Sequence, residues 1–169
     1  ASDVYKRQAM RNAIKKNYNP VNSEPMSQGT RCRQLATYVI FDSPLNMLCD
    51  NPSNYKREPE CTAFIARIPT VWDETLGLDG KVGEYITMAR RSGDEWYVGG
   101  LTNWDKRDIT VDLSFLGEGF YEIELFKDGI NADRAACDYK RVVMPVPEDR
   151  QLKVTLFPGG GFAGRIERR

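Results

Sequence analysis

Carboxylates are the groups in this chain best placed to do chemistry, because its sequence contains no histidine. Without imidazole, Ser-His-Asp and Cys-His catalysis, the commonest metal ligand and the usual pH switch are excluded together. Asp50 is the sharpest candidate. It follows a short apolar run, Leu45–Cys49, that suits a strand covered on both faces. A carboxylate just beyond such a strand occupies the place where α/β barrels put substrate-binding and catalytic residues. Asp50-Asn51-Pro52 equally suits an Asx-type turn. Glu58 and Glu60 flank Pro59, and Asp73 and Glu74 follow Trp72. Glycoside hydrolysis uses two carboxylates, but they face one sugar from different sides, which sequence neighbours do poorly. Acidic residues near a helix start are better explained by the helix dipole.

The remaining candidates are weaker. Cys32, Cys49, Cys61 and Cys137 include no C-x-x-C pair, so they read as packed thiols rather than a zinc site or a disulfide scaffold. Pro158-Gly159-Gly160-Gly161 lacks the Lys-Ser/Thr of a phosphate loop and reads as a tight bend. Asp128-Gly129-Ile130-Asn131-Ala132-Asp133 has oxygen ligands but not the order of a calcium loop, and reads as a turn. Trp72, Trp96, Tyr97 and Trp104 could stack on sugar faces, or fill a core or a seam with a neighbouring domain.

Two kinds of element must position these groups. Cys32, Leu35, Ala36, Val39 and Ile40 recur at helical spacing, with Ser27 or Thr30 as the cap and Ser43-Pro44 as the stop. Arg33 falls on the opposite face, which predicts a surface position. A second helix is expected from Pro59, burying Cys61, Phe64, Ile65 and Ile68 before Pro69. Helix, buried strand, helix is a piece of an α/β layer. After Pro69 the period becomes two: strands are expected near 71–78, 84–90, 95–101, 109–113, 121–125, 140–146, 152–156 and 162–166, with a hairpin turn at Ser92-Gly93-Asp94. That pattern is an antiparallel β-sandwich. The expected division is a foreign, adapter-like segment at 1–8, an α/β piece at 9–69 and a sandwich at 70–169.

The 169 residues carry 24 Lys+Arg against 24 Asp+Glu, with 41% hydrophobic and 28% charged residues. The balance disfavours nucleic acid as a partner, and no stretch is long and apolar enough to span a bilayer.

Several stretches together go further. Ser23–Arg31, Gln34-Leu35-Ala36 and Ser43–Asp50 resemble the last barrel segment of glycoside hydrolase family 97. Pro69–Thr75, Asp79–Tyr85, Trp96–Gly100, Asp128–Arg134 and Pro158–Phe162 resemble that family's C-terminal domain, in order and spacing. The family comprises α-glucosidases and α-galactosidases built from an N-terminal sandwich, a (β/α)8 barrel and a C-terminal sandwich. The resemblance therefore implies the last helix-strand-helix of a barrel followed by an antiparallel β-sandwich, mainly β overall. It implies a parent acting on terminal α-glycosidic bonds of an α-linked oligosaccharide, with calcium near its catalytic centre and a periplasmic or secreted location. It carries over no catalytic residue and no metal ligand, because the family's catalytic and calcium-binding carboxylates belong to earlier segments. The chain itself is expected to be inactive, with the sandwich packed on the barrel piece. Arg33 stands where family members often have histidine. The alternative reading is a self-standing carbohydrate-binding module.

Overall fold

A computed structural model of the chain describes residues 11–19, 26–42 and 50–169. The adapter-like segment at 1–8, the strand expected at Leu45–Cys49 and the stop at Ser43-Pro44 lie outside these residues. Two short strands, β1 (Asn12–Ala13) and β2 (Ser27–Gln28), pair in parallel. Among the described residues three helices follow: α1 (Arg31–Ile40), α2 (Pro52–Arg57) and α3 (Pro59–Arg67). Thr30 is the N-cap of α1, its Oγ1 accepting the Arg33 N–H at 3.1 Å. This satisfies one of the amides that a helix start leaves unpaired. The amides of Thr30 and Arg31 reach across the fold, to the carbonyls of Gly159 (3.0 Å) and Ala136 (2.7 Å).

Helix α2 was not expected. Asn51 caps it by accepting the Asn54 N–H at 3.0 Å, and Pro52 sits at its start, where a missing N–H costs nothing. Glu58 then breaks the helical path (φ −120°, ψ 61°), and Pro59 opens α3.

Eight strands make the rest: β3 (Glu74–Lys81), β4 (Tyr85–Ser92), β5 (Glu95–Thr102), β6 (Arg107–Asp112), β7 (Tyr121–Asp128), β8 (Tyr139–Pro145), β9 (Gln151–Leu156) and β10 (Gly161–Arg168). They form a six-stranded antiparallel sheet in the order β3-β4-β5-β10-β7-β8, faced by the antiparallel pair β6-β9. The fold is mainly β, and each strand expected after Pro69 is present. β3 starts and ends about three residues later than its alternation suggests, with a register shift between Gly77 and Asp79.

The alternation of β5, β7 and β10 explains the layers. Trp96, Val98, Ile123, Leu125, Phe162 and Ile166 point toward β6-β9 and meet Val111, Leu152, Val154 and Leu156 in one core. The intervening residues Leu101, Phe126 and Ala163 point the other way and meet Cys32, Leu35, Ala36, Cys61 and Phe64. At Gly99 a side chain would press on Val39, so the missing Cβ lets α1 lie close to β5. The helices and the sandwich thus share their second core.

Because α1 is wedged between the sheet and β1, nine of its ten residues are buried. Arg33 is the tenth, and the surface position expected for it is corrected. It is half-buried at the seam, where Nη1 donates to the Thr102 carbonyl at 2.6 Å and its backbone lies against Gly161. The helical period assigned one apolar stripe, whereas the fold covers α1 on nearly every side.

Candidate functional site

Asp50, the candidate for substrate binding, lies half-buried at the start of the turn into α2. Its Oδ1 accepts the Asn51 amide (2.8 Å) and the Asn54 side-chain amide (2.6 Å), while its own N–H donates to the Tyr55 hydroxyl oxygen at 3.2 Å. These contacts organise the first turn of α2. The other carboxylates separate instead of converging. Glu58 pairs with Arg31 at 3.0 Å. Glu60 accepts from the Tyr139 hydroxyl at 3.0 Å and approaches Arg141. Asp73 and Glu74 both face Arg91. No two of these carboxylates are held across a common cleft.

The aromatic candidates turn inward. Trp96 packs against Phe115, ring centroids 4.5 Å apart, in the sandwich core. Trp72 meets Tyr97 edge-on at 5.5 Å and lies 5.6 Å from the Arg90 guanidinium. The Trp104 ring covers Gly159, where an added Cβ would strike it. Tyr97 is buried with its hydroxyl 2.9 Å from both the Arg67 carbonyl and the Glu95 carboxylate. Burial and that carboxylate push its pKa upward, so it stays a neutral donor.

Pro158–Gly161 is a bend, with Gly159 at φ 68°. Residues 128–133 run into a turn held by Asp138, whose Oδ2 accepts the Asn131 amide at 2.8 Å. Among the described residues no group of three or more Asp, Glu or Cys could hold a metal ion. Cys32 and Cys61 are fully buried, and burial pushes both thiols' pKa up. Cys137 departs from the expected packed thiol. It is exposed in the loop before β8, its Sγ 3.4 Å from Arg31 Nη2. Cys49 lies outside the described residues.

The most organised polar feature is the seam between helices and sheet, and the sequence reading missed it. Arg31, 1% exposed, donates from Nε to Asn12 Oδ1 at 2.5 Å on one side and pairs with Glu58 on the other. Asp128, 7% exposed, accepts the amides of Phe157 (3.0 Å) and Gly161 (3.1 Å) at Oδ2, fixing the bend that meets the start of α1. Burial pushes its pKa up to about 6, although those amides and Thr30 oppose the rise. Further along the same face, Glu124 joins Arg67 and Arg141, each at 2.8 Å. Arg165 joins Glu95 and Glu167. The alternation of Glu122 and Glu124 with Tyr121, Ile123 and Leu125 is legible in the sequence, but it carries no sign of which cations face those carboxylates.

This geometry, a helical piece sealed onto a sandwich, recurs in known proteins. Residues 71–167 match the family model described as glycosyl-hydrolase 97 C-terminal, oligomerisation. A retaining alpha-galactosidase of Bacteroides thetaiotaomicron is 67% identical over 163 residues, covering 96% of this chain and 25% of that protein. A probable retaining alpha-galactosidase of Streptomyces bingchenggensis is 32% identical over 130 residues, 77% of this chain and 19% of that protein. Among solved structures, a glycoside hydrolase family 97 enzyme from a Pseudoalteromonas species, in complex with panose, superposes with a TM-score of 0.78 at 35% identity. That match covers 83% of this chain and 23% of the enzyme. The chain thus spans about a quarter of the length of the relatives it matches. With the family's C-terminal domain accounting for more than half of its residues, the chain belongs to glycoside hydrolase family 97.

Proposed function

We propose that this chain serves as part of a longer retaining α-galactosidase, holding the sandwich against the catalytic barrel. The observation that carries the reading is the 67% identity to such an enzyme, which runs through the helices as well as the sandwich. Retention requires a nucleophilic carboxylate and an acid/base carboxylate on one glycosidic bond. In this reading both, with the calcium, come from the rest of the longer protein. Residues 9–69 close the barrel and residues 70–169 brace it, and the seam at Arg31, Asp128 and Glu124 fixes one to the other. The family description's oligomerisation extends the proposal, giving the sandwich a second task of joining copies. Export to the periplasm is the corresponding location, tested by fractionating cells that express the longer protein.

Asp50 is proposed to face substrate, and two measurements separate that role from its local one. In the longer protein, Asp50→Ala is expected to raise KM for an aryl α-galactoside as well as lower Tm. A loss of Tm alone assigns Asp50 to the α2 turn only. The 169-residue chain, incubated with calcium and aryl α-galactoside or α-glucoside, is expected to give no turnover. Hydrolysis above blank would overturn the proposed division of labour. A longer protein that prefers the glucoside would overturn the galactosidase assignment.

A further inference from the structure

Residues 117–121 hold one aromatic ring outside both cores. Phe120 is 85% exposed, at a cleft of about 590 Å3 that it shares with Tyr121, Pro145, Pro147, Glu148 and Arg150. The loop carrying it is braced from two sides. Arg150 Nη2 donates to the carbonyls of Gly117 (3.2 Å) and Gly119 (3.0 Å), and its guanidinium lies 5.0 Å from the centre of the Tyr121 ring. The Arg169 amide donates to the Phe120 carbonyl at 2.9 Å, and the Arg169 guanidinium pairs with Glu122. Arg150 is also the only non-glycine among the described residues with a left-handed backbone, φ 57°. Such a backbone persists where the surroundings enforce it. Here its effect is to aim the brace.

A concave, largely apolar cleft with a few fixed polar groups is the form of a small-molecule site. Its charges select the ligand's character. Arg150 is committed to two carbonyls, Arg169 is paired with Glu122, and Glu148 stands exposed on the rim. Both signs are present and mostly spent, which disfavours a charged ligand and suits a neutral, polyhydroxylated one. A lone ring among charges also lacks the contiguous apolar area of a stable protein contact. We propose that this cleft binds a pyranose unit of an α-linked oligosaccharide, its C–H face on Phe120 and its hydroxyls at Glu148 and Arg169. The choice of sugar rests on the reading of the longer protein as an α-glycosidase. Neither Asp50 nor any of the tryptophans lines this cleft.

The test is a titration of the 169-residue chain with α-galacto- and malto-oligosaccharides, followed by calorimetry and by amide shifts in NMR spectra. Saturable millimolar binding is expected, with shifts at 117–121 and 146–150. Phe120→Ala, which removes only exposed surface, is expected to weaken it about tenfold or more, a loss of about 1.4 kcal/mol, while Phe120→Trp retains it. Absence of saturable binding, or binding indifferent to Phe120→Ala, overturns the proposal. So does a Phe120→Ala chain that merely dissociates from dimer to monomer, because the ring would then meet a second copy. Turnover of aryl α-galactoside by the longer protein is measured in parallel. If turnover stands while Phe120-dependent binding is absent, this inference fails alone; if turnover is absent, the reading beneath it has failed.

Discussion

Asp128 stays buried at a cost that its neighbours only partly offset. Its folded pKa, about 6, lies above the ordinary 3.8, so the folded chain holds this proton more tightly than the unfolded one. The stabilising contribution is therefore complete below the ordinary value and is lost as pH rises through about 6, a difference of up to about 3 kcal/mol. Asp128→Asn keeps an oxygen for the Phe157 and Gly161 amides and removes the charge. It is expected to be as stable as the parent chain or more so at about pH 8, and to flatten the dependence between about pH 5 and pH 8. Thermal unfolding of both chains at the two pH values checks this. Equal pH dependence in the two would show that Asp128 does not titrate in that window. Sequence alone gave no hint of this residue's burial, since Asp128-Gly129 is also the signature of an exposed turn. The turn is there, one residue later, and the carboxylate points back into the seam.

At the scale of elements, Glu124 shows why the strands were readable and the seam was not. Alternation in β7 places Ile123 and Leu125 in the core, and nothing in the pattern distinguishes a charged residue facing water from one facing another charge. Glu124 faces Arg67 of α3, which lies 57 residues earlier, and Arg141 of β8, the neighbouring strand. The helices divide in the same way. Thr30 and Pro59 announced α1 and α3, whereas α2 was hidden by reading Asp50-Asn51-Pro52 as a simple break. Asn before Pro is also a cap before a first turn, and the capping reading wins because Tyr55 has a buried place to go. Glu124→Ala leaves two guanidinium groups at the seam without their common acceptor. Because both arginines keep about two-fifths of their surface in water, the loss is expected to stay below about 3 kcal/mol, less than for a fully buried pair. Urea unfolding measures it. A double cycle with Arg141→Ala should show coupling, and strict additivity would mean that the pair contributes nothing.

Considered as one molecule, the chain has a sheet with two buried faces and only one of them covered by its own strands. Residues 70–169 without the helices would expose Leu101, Phe126 and Ala163, all at most 7% exposed in the whole chain. That piece is expected to bind a hydrophobic dye and to associate with rising concentration, while the full chain does so much less. Light scattering and dye fluorescence of the two would decide it, and equal behaviour would show that α1 and α3 are dispensable covers. The position of β10 adds a consequence for synthesis. Residues 161–168 insert between β5 and β7 and form the strip on which α1 rests. During translation the helix emerges more than a hundred residues before its seat exists. Until then the sheet is two unjoined halves with open edges, and its apolar faces are exposed to association while synthesis continues.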